Sequence, residues 1–199
     1  TSTRLQVIIR PRGGDVLCSP VEQEIMLRDI DMAHRCGVDG VVFGCLTPQG
    51  DVDVSLLKRL VDAAQGLSIT FHRAFDVCRQ PAAALEAIIC SGCHRILTSG
   101  AQATAEQGIP LLKQLHEQAA GRIILLAGCG VNEQNIARIA AETSIREFHF
   151  SARHVLPSLM QYRNEAVSMG GTVHINEYER NVTSAQRVAA TIAQLPSPI

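Results

Sequence analysis

SITFHRAFD, residues 68–76, sets a mainly apolar run directly before a histidine, an arginine and an aspartate. Successive side chains of a β-strand point to opposite faces, so Thr70 and His72 share one face and Ile69 and Phe71 share the other. If the apolar pair packs against helices, His72 faces inward at the end of the strand. The stretch therefore predicts a strand that is covered by helices on one face and carries ionisable groups at its carboxyl end.

Similar runs recur along the chain and alternate with amphipathic segments. The strand candidates are 5–9, 40–45, 68–72, 94–98, 122–127 and 146–150. Helices are predicted to begin at Pro20, Asp53, Pro81, about Ile109, Asn132 and about Thr183, from prolines and capping side chains near each position. Strands too apolar for a solvated face, each followed by a helix, predict a parallel sheet covered by helices.

The ends of the strands decide between an open sheet and a barrel. A doubly wound sheet usually carries a glycine-rich turn after its first strand, and no G-x-G-x-x-G spacing follows residues 5–9. Polar residues instead follow nearly every strand, as in a barrel whose site is assembled from many loops. We therefore expect an α/β fold, a TIM-type (β/α)8 barrel, in a single domain over residues 1–199.

The number of units does not complete such a barrel. Only about six βα units fit the sequence, whereas eight units need about 250 residues. A six-stranded sheet would leave two unpaired edges. We expect either that the first two units are missing from the front of this chain or that another subunit of a homo-oligomer covers the gap.

Charged and polar side chains are predicted to meet at the mouth of the barrel. The candidate catalytic residues are His72, His149 and Asp76, and the candidate ligand-binding residues are Arg10, Arg12, Asp15, Arg73, Ser99, Gly100 and Ser151. Buried charges need partners, so Arg73 is expected to pair with Asp76. Glu147 is expected to pair with Arg10 or with Arg12. Such pairs could also do no more than fill the mouth.

Glycines beside these charges favour a ligand site over a purely structural plug. Gly13–Gly14 and Ser99–Gly100 expose backbone that ion pairs alone do not require. The stretch Gly128–Gly130 comes just before a predicted helix N-terminus at Asn132, where backbone amides can hold a phosphate or carboxylate. The mouth therefore suits a small anionic ligand.

The seven cysteines are scattered along the chain, which favours reduced thiols in a cytosolic protein over a disulfide framework. Cys90 and Cys93 match a redox spacing, but the end of a helix disfavours a thiolate, so two packed thiols are expected there. Cys45 and Cys129 lie near the carboxyl ends of strands and are candidate ligands for Cu(I) or Zn(II). Simple burial of these two thiols is the alternative.

Composition excludes two classes of partner. The net charge is −1 without a basic stripe, so neither nucleic acid nor a membrane surface is an expected partner. No apolar run reaches 18 residues, so no membrane span is expected, and no leader is recognised.

Several motifs resemble, in the same order, those of the CutC family of copper homeostasis proteins. They are IIRPRGGD (8–15), TFHRAFD (70–76), ILTSG (96–100), AGCGV (127–131), HFSA (149–152) and YRN (162–164). The resemblance implies a cytoplasmic, oligomeric TIM-type barrel in which IRPRGGD follows the third strand, so that two leading βα units are absent here. Copper binding in the family is ascribed partly to cysteines of that leading region. Cys45 and Cys129 therefore inherit no role from the resemblance.

Three functions remain open. The first is a cytosolic copper homeostasis protein that binds Cu(I) through thiolates. The second is an enzyme that acts on a small phosphate- or carboxylate-bearing substrate, with His72 or His149 as acid or base and arginines that neutralise the substrate. The third is a scaffold without chemistry. The long segment after residues 146–150 is expected to act as a lid.

Overall fold

Six parallel strands and the helices between them form the body of the protein. The computed structural model describes residues 3–170, 173 and 176–196. The strands are β1 (Gln6–Ile8), β2 (Gly40–Phe43), β3 (Ser68–Phe71), β4 (Arg95–Thr98), β5 (Ile124–Gly128) and β6 (Glu147–His149). The connecting helices are α1 (Pro20–Arg35), α2 (Val54–Ala63), α3 (Pro81–Cys90), α4 (Ile109–Ala119) and α5 (Ile136–Thr143), with a short 3-10 helix (Arg73–Val77) after β3.

Local sequence explains where most helices begin. Ser19 and Glu22 form the reciprocal capping box of α1, in which each side chain accepts a hydrogen bond from the other residue's backbone N–H. The predicted start of α5 at Asn132 was wrong, because that helix begins at Ile136. Asn132 Oδ1 instead accepts the backbone N–H of Gln134 and holds a turn before the helix.

The order of the strands in the sheet confirms the barrel-type α/β fold. They lie side by side in chain order from β1 to β6, and every neighbouring pair is parallel. A doubly wound sheet would reverse its order at a switch point, and this sheet does not. The six strands curl into a half-barrel. Within the described residues, no strand pairs with the outer edge of β1 or of β6.

The two faces of the sheet have different surroundings. Ile69 and Phe71 belong to the core beneath the helices and are 2% and 0% exposed, as their alternation predicts. The inner face is partly open, since Ile8 is 60% and Ile124 is 39% exposed. Residues that point inward at the carboxyl ends of the strands can therefore meet a ligand from solvent.

The segment after β6 contains an antiparallel ribbon that the sequence did not reveal. The ribbon joins β7 (Arg153–Pro157) to β8 (Glu179–Thr183). Helix α6 (Ala185–Ile192) follows and confirms the helix predicted from about Thr183. In the loop between β7 and β8, the guanidinium of Arg163 lies 5.2 Å from the ring centre of Tyr178. The hydroxyl of Tyr178 accepts the backbone N–H of Asn164. The predicted role of this segment as a lid stays a prediction.

The two cysteines near the end of α3, Cys90 and Cys93, were predicted to be packed thiols. Cys93 is buried, and burial raises the pKa of its thiol to about 12. Cys90 is exposed, so only one of the two thiols is packed as predicted.

His94 Nδ1 accepts the backbone N–H of Ile69 at 3.0 Å and thereby joins the amino ends of β3 and β4.

The helices are short compared with the thickness of a bilayer. The longest of those in the described ranges, α1, has 16 residues, whereas a membrane span needs about 20. No described helix combines the length and the apolar character that crossing a membrane requires.

Candidate functional site

A cleft lies at the carboxyl ends of β1, β2 and β3. Its polar lining comes from Arg10, Arg12, Asp15, Glu22 and His72, and the space between the lining residues, part of it open to solvent, is ≈ 290 Å³. The structure thus brings four of the residues predicted from sequence into one place.

His72 forms the floor of the cleft. It follows β3, is 6% exposed, and its Nδ1 accepts the backbone N–H of Ala74 at 3.1 Å. Burial, and then the positive charge of Arg10, lower the pKa of His72 to about 4. Gly44 makes room for the ring, because a Cβ at that position would lie 2.5 Å from Nδ1. The imidazole is therefore neutral near pH 7 and fixed in orientation.

The two arginines of the cleft differ in their partners. Arg12 donates from Nε to Glu22 at 2.5 Å and from Nη2 to Asp15 at 2.8 Å. Its hydrogen bond is the main cause that lowers the pKa of Asp15. Arg10 donates to the carbonyl oxygen of Gly14 at 2.7 Å, and no carboxylate of the described residues forms an ion pair with it. Arg10 therefore provides an uncompensated positive charge beside His72.

The expected pairing of Glu147 with Arg10 or Arg12 was wrong. Glu147 accepts from Nε of Arg95 at 2.6 Å and from its Nη2 at 3.2 Å, while Nη1 of Arg95 reaches Ser68 Oγ at 2.9 Å. Arg95 and Glu147 lie on β4 and β6, on the inner face of the half-barrel, with β5 between them. The pair therefore joins β4 to β6 across the inner face of β5, and neither residue lines the cleft.

A second cluster lies at the carboxyl end of β4. The predicted pair is present, with Arg73 Nε 2.6 Å from Asp76 Oδ2. Asp76 also accepts the hydroxyl of Thr98 at 2.6 Å and the backbone N–H groups of Ser99 and Ala101 at 3.0 and 3.2 Å. A carboxylate with this many donors is held in place, so we propose that Asp76 positions the loop and Arg73 and does not itself transfer protons.

The loop at Ser99 and Gly100 depends on close packing against Gly108. A Cβ on Gly108 would lie 1.8 Å from the carbonyl oxygen of Ser99, and Gly100 adopts φ +69°. We expect Gly108→Ala to lower the free energy of unfolding by about 1–3 kcal/mol or more, because backbone must shift to accept the methyl group. Urea unfolding measures the change.

Gly13→Ala is the matched control for this substitution. No atom lies within 4 Å of the position that its Cβ would take. The free energy of unfolding should change by less than about 0.5 kcal/mol. Equal losses in the two variants would contradict the packing argument.

His149 and Ser151 lie on the other side of the curve. Both side chains are exposed: His149 is the last residue of β6, and Ser151 comes two residues after it. Neither residue lines the cleft. Three strand spacings separate β3 from β6, on the order of 14 Å along the sheet. His149 instead packs near Gly128, whose added Cβ would lie 3.3 Å from His149 Cβ. The roles expected for His149 and Ser151 stay predictions.

The thiols expected to bind metal do not form a shared site. Cys45 is fully buried, burial raises the pKa of its thiol, and its Sγ contacts the carbonyl oxygen of Asp53 at 3.6 Å. Cys129 contacts the carbonyl oxygen of Ala103 at 3.0 Å, beyond β5. β3 and β4 lie between β2 and β5, so the two sulfurs cannot both reach one ion with metal–sulfur bonds of about 2.3 Å. In the described part of the chain, no three His, Cys, Asp or Glu side chains converge as a metal site.

Three contributors to these clusters were missed in the sequence. Gly44 and His72 directly follow the paired residues Phe43 and Phe71, and period-2 counting from Gly40 would have placed Gly44 on the inner face. Arg95 shares the inward face of β4 by the same counting. Glu22 belongs to the capping box of α1, but its contact with Arg12 carries no local sequence signal.

Comparison with known proteins shows to which family the chain belongs. The family model described as "CutC family" matches residues 1–154. The chain belongs to the CutC family. A CutC family protein from Bacteroides thetaiotaomicron is 68% identical over 197 residues, which are 99% of this chain and 79% of that protein. One from Porphyromonas gingivalis is 50% identical over 188 residues, 94% of this chain and 76% of the relative.

Solved structures agree with this membership. The "Putative Copper Homeostasis Protein CutC" from Streptococcus agalactiae is 33% identical to this chain, with a TM-score of 0.71 over 73% of this chain and 71% of that one. An aldolase, QR15, matches at 16% identity and a TM-score of 0.59 over 74% of this chain and 68% of that one. The second likeness shows a shared fold and nothing about activity. CutC proteins and this chain thus share both sequence motifs and the arrangement of the strands.

Proposed function

We propose that this CutC chain binds a small anionic molecule at the carboxyl-terminal rim of its half-barrel and acts on it as an enzyme. The observation that carries the proposal is the cleft in which Arg10, without a carboxylate partner among the described residues, lies beside a buried, neutral His72. Such a combination of a cation with a group of strongly shifted pKa is typical of functional sites. Barrel enzymes assemble their sites at this end of the strands.

Charge supports an anionic ligand. Arg12 is neutralised by Asp15 and Glu22, so it serves to shape the loop after β1. Arg10 keeps two or more N–H donors available, and guanidinium groups bind carboxylates and phosphates through paired hydrogen bonds. Arg73, which lies further along the rim, is paired with Asp76, so it adds no uncompensated charge there.

Binding of small anions tests the proposal. We expect pyruvate or inorganic phosphate to bind the wild-type chain, and Arg10→Gln to weaken that binding about tenfold or more, because a hydrogen bond to a charged group contributes about 1.5–3 kcal/mol. Isothermal titration calorimetry measures the affinity.

Arg28→Gln is the control, since Arg28 pairs with Glu24 on the exposed face of α1, away from the cleft lining. The affinity of the Arg28→Gln variant for pyruvate and for inorganic phosphate should equal that of the wild type. Absence of binding by both anions, or equal losses in the two variants, would overturn the proposal.

Copper homeostasis is the second candidate function, and the name of the Streptococcus agalactiae relative favours it. Cu(I) prefers several thiolate or thioether ligands in one place. The described residues do not fit this requirement, because Cys45 and Cys129 are held on different strands and burial opposes a thiolate at Cys45. The proposed role in copper homeostasis therefore does not depend on a two-thiol site at these positions.

Removal of the two thiols tests this candidate. We expect anaerobically purified Cys45→Ala/Cys129→Ala protein to take up as much Cu(I) as the wild type, measured by competition with a chromogenic chelator. If the double variant binds one equivalent less of tightly held copper than the wild type, Cys45 and Cys129 do coordinate Cu(I) through their thiolates. Cys36→Ala, at an exposed position, is the control for nonspecific thiol binding.

Location and assembly belong to the same proposal. The cysteines of the described residues are all free thiols, which supports a reducing compartment such as the cytoplasm. The outer edges of β1 and β6, unpaired within the described ranges, support association with a further subunit, because exposed strand edges are rarely left uncovered.

A further inference from the structure

The side of the His72 ring that faces the protein is already occupied. The backbone N–H of Ala74 donates to Nδ1 at 3.1 Å, and Ala74 is itself buried. A ring nitrogen can accept a hydrogen bond only when it carries no proton. The neutral imidazole therefore holds its proton on Nε2.

A second proton on the ring is opposed by the surroundings. An imidazolium would place an N–H at Nδ1 against the N–H of Ala74. Burial lowers the pKa of the ring, and the positive charge of Arg10, which follows β1 and lines the same cleft, lowers it further. Asp15 and Glu22, the acidic groups of the same cleft, are bound to Arg12, and Cys18 adds a thiol whose pKa is raised.

The Nε2 side of the ring is free to meet a ligand. Among the described residues, none makes a hydrogen bond to Nε2, and no side-chain nitrogen or oxygen of those residues is both fully buried and without a partner. Nε2 therefore keeps access to the cleft that His72 lines. Gly44 and Ala74 hold the ring so that this N–H points to a fixed place.

We propose that His72 binds the ligand as a hydrogen-bond donor through Nε2–H, together with the guanidinium of Arg10, and that the ligand is a small monoanionic carboxylate with a carbonyl oxygen. This inference rests on the proposed function of the cleft. One uncompensated cation matches one negative charge, and the nearby carboxylates of Asp15 and Glu22 oppose a second one, as in the dianion form of inorganic phosphate. A donor at Nε2 stabilises negative charge on an oxygen and cannot remove a proton from the substrate.

Nuclear magnetic resonance of the full chain labelled with ¹⁵N-histidine tests the assignment without any variant. At pH 7 the His72 ring should be neutral with its proton on Nε2, and pyruvate, a 2-oxo monocarboxylate, should shift the Nε2–H resonance. Inorganic phosphate should shift it at least tenfold less at equal concentration. His72→Gln, which keeps an N–H donor, should hold pyruvate within about threefold of the wild type, whereas His72→Leu should lose about tenfold.

The outcomes separate this inference from the function on which it rests. A proton on Nδ1, or an imidazolium at pH 7, overturns the inference even if an anion binds. Binding of phosphate without pyruvate, or binding of pyruvate without a shift at Nε2, also overturns it and leaves the anion-binding function in place. If neither anion binds, both are overturned.

Discussion

Asp76→Ala is expected to lower the free energy of unfolding by about 3–5 kcal/mol, the loss typical of breaking a buried ionic network. The side chain of Asp76 is 5% exposed and accepts hydrogen bonds from Thr98, Ser99, Ala101 and Arg73. Removal leaves two backbone N–H groups and a hydroxyl without acceptors in a region where Thr98 and Ser99 are fully buried. Urea unfolding followed by circular dichroism measures the change.

Asp51→Ala is the matched control for Asp76→Ala. Asp51 forms a two-point ion pair with Arg79, as Asp76 pairs with Arg73, but its side chain is 45% exposed. Exposed pairs contribute about 0–1 kcal/mol, so this variant should be nearly as stable as the wild type. Similar losses at the two positions would show that the network around Asp76 does not anchor the loop after β4.

The stability of the protein should fall as the pH is lowered from 6.5 to 4, in part because of His72. The pKa of this ring is about 4 in the folded chain and about 6.5 when exposed, so the unfolded chain binds the proton first. Stability therefore rises with pH through this window and is complete above pH 6.5. The difference of about 2.5 pKa units corresponds to roughly 3 kcal/mol.

Comparison of variants isolates this contribution from that of the carboxylates. His72→Gln does not titrate, so the free energy of unfolding should fall less between pH 7 and pH 4.5 than in the wild type, by on the order of 2 kcal/mol. His154→Gln, at an exposed position of β7, should keep the wild-type dependence. Parallel curves for the wild type and His72→Gln would mean that His72 is not buried as a neutral ring.

The contacts of Asp76 differ in how far they could be predicted from the sequence. The pairing of Arg73 with Asp76 was predictable, because three residues separate them and both follow one strand. The additional donors to Asp76 come from the loop after β4, more than 20 residues later, and no local pattern indicates them. For this reason the sequence suggested an acid–base role for Asp76, whereas the contacts favour a positioning role.

The sequence alone determined the type of fold and the end of the sheet at which the ionisable side chains lie. Alternation with period two and capping residues act between neighbours, so they are readable in one dimension. They predicted six parallel strands in barrel order, with His72 and the arginines at the carboxyl ends. The motifs also indicated the CutC family before the comparisons showed it.

Only the tertiary structure decided which of these groups meet. It joined Arg95 to Glu147 across 52 residues, placed Arg10 and His72 in one cleft, and left His149 outside it. It also placed the N–H of Ala74 against Nδ1 of His72, the contact from which we infer a proton on Nε2. The physical reason is that register between strands and the curvature of the sheet bring together side chains from distant segments, and neither quantity is encoded within a single strand.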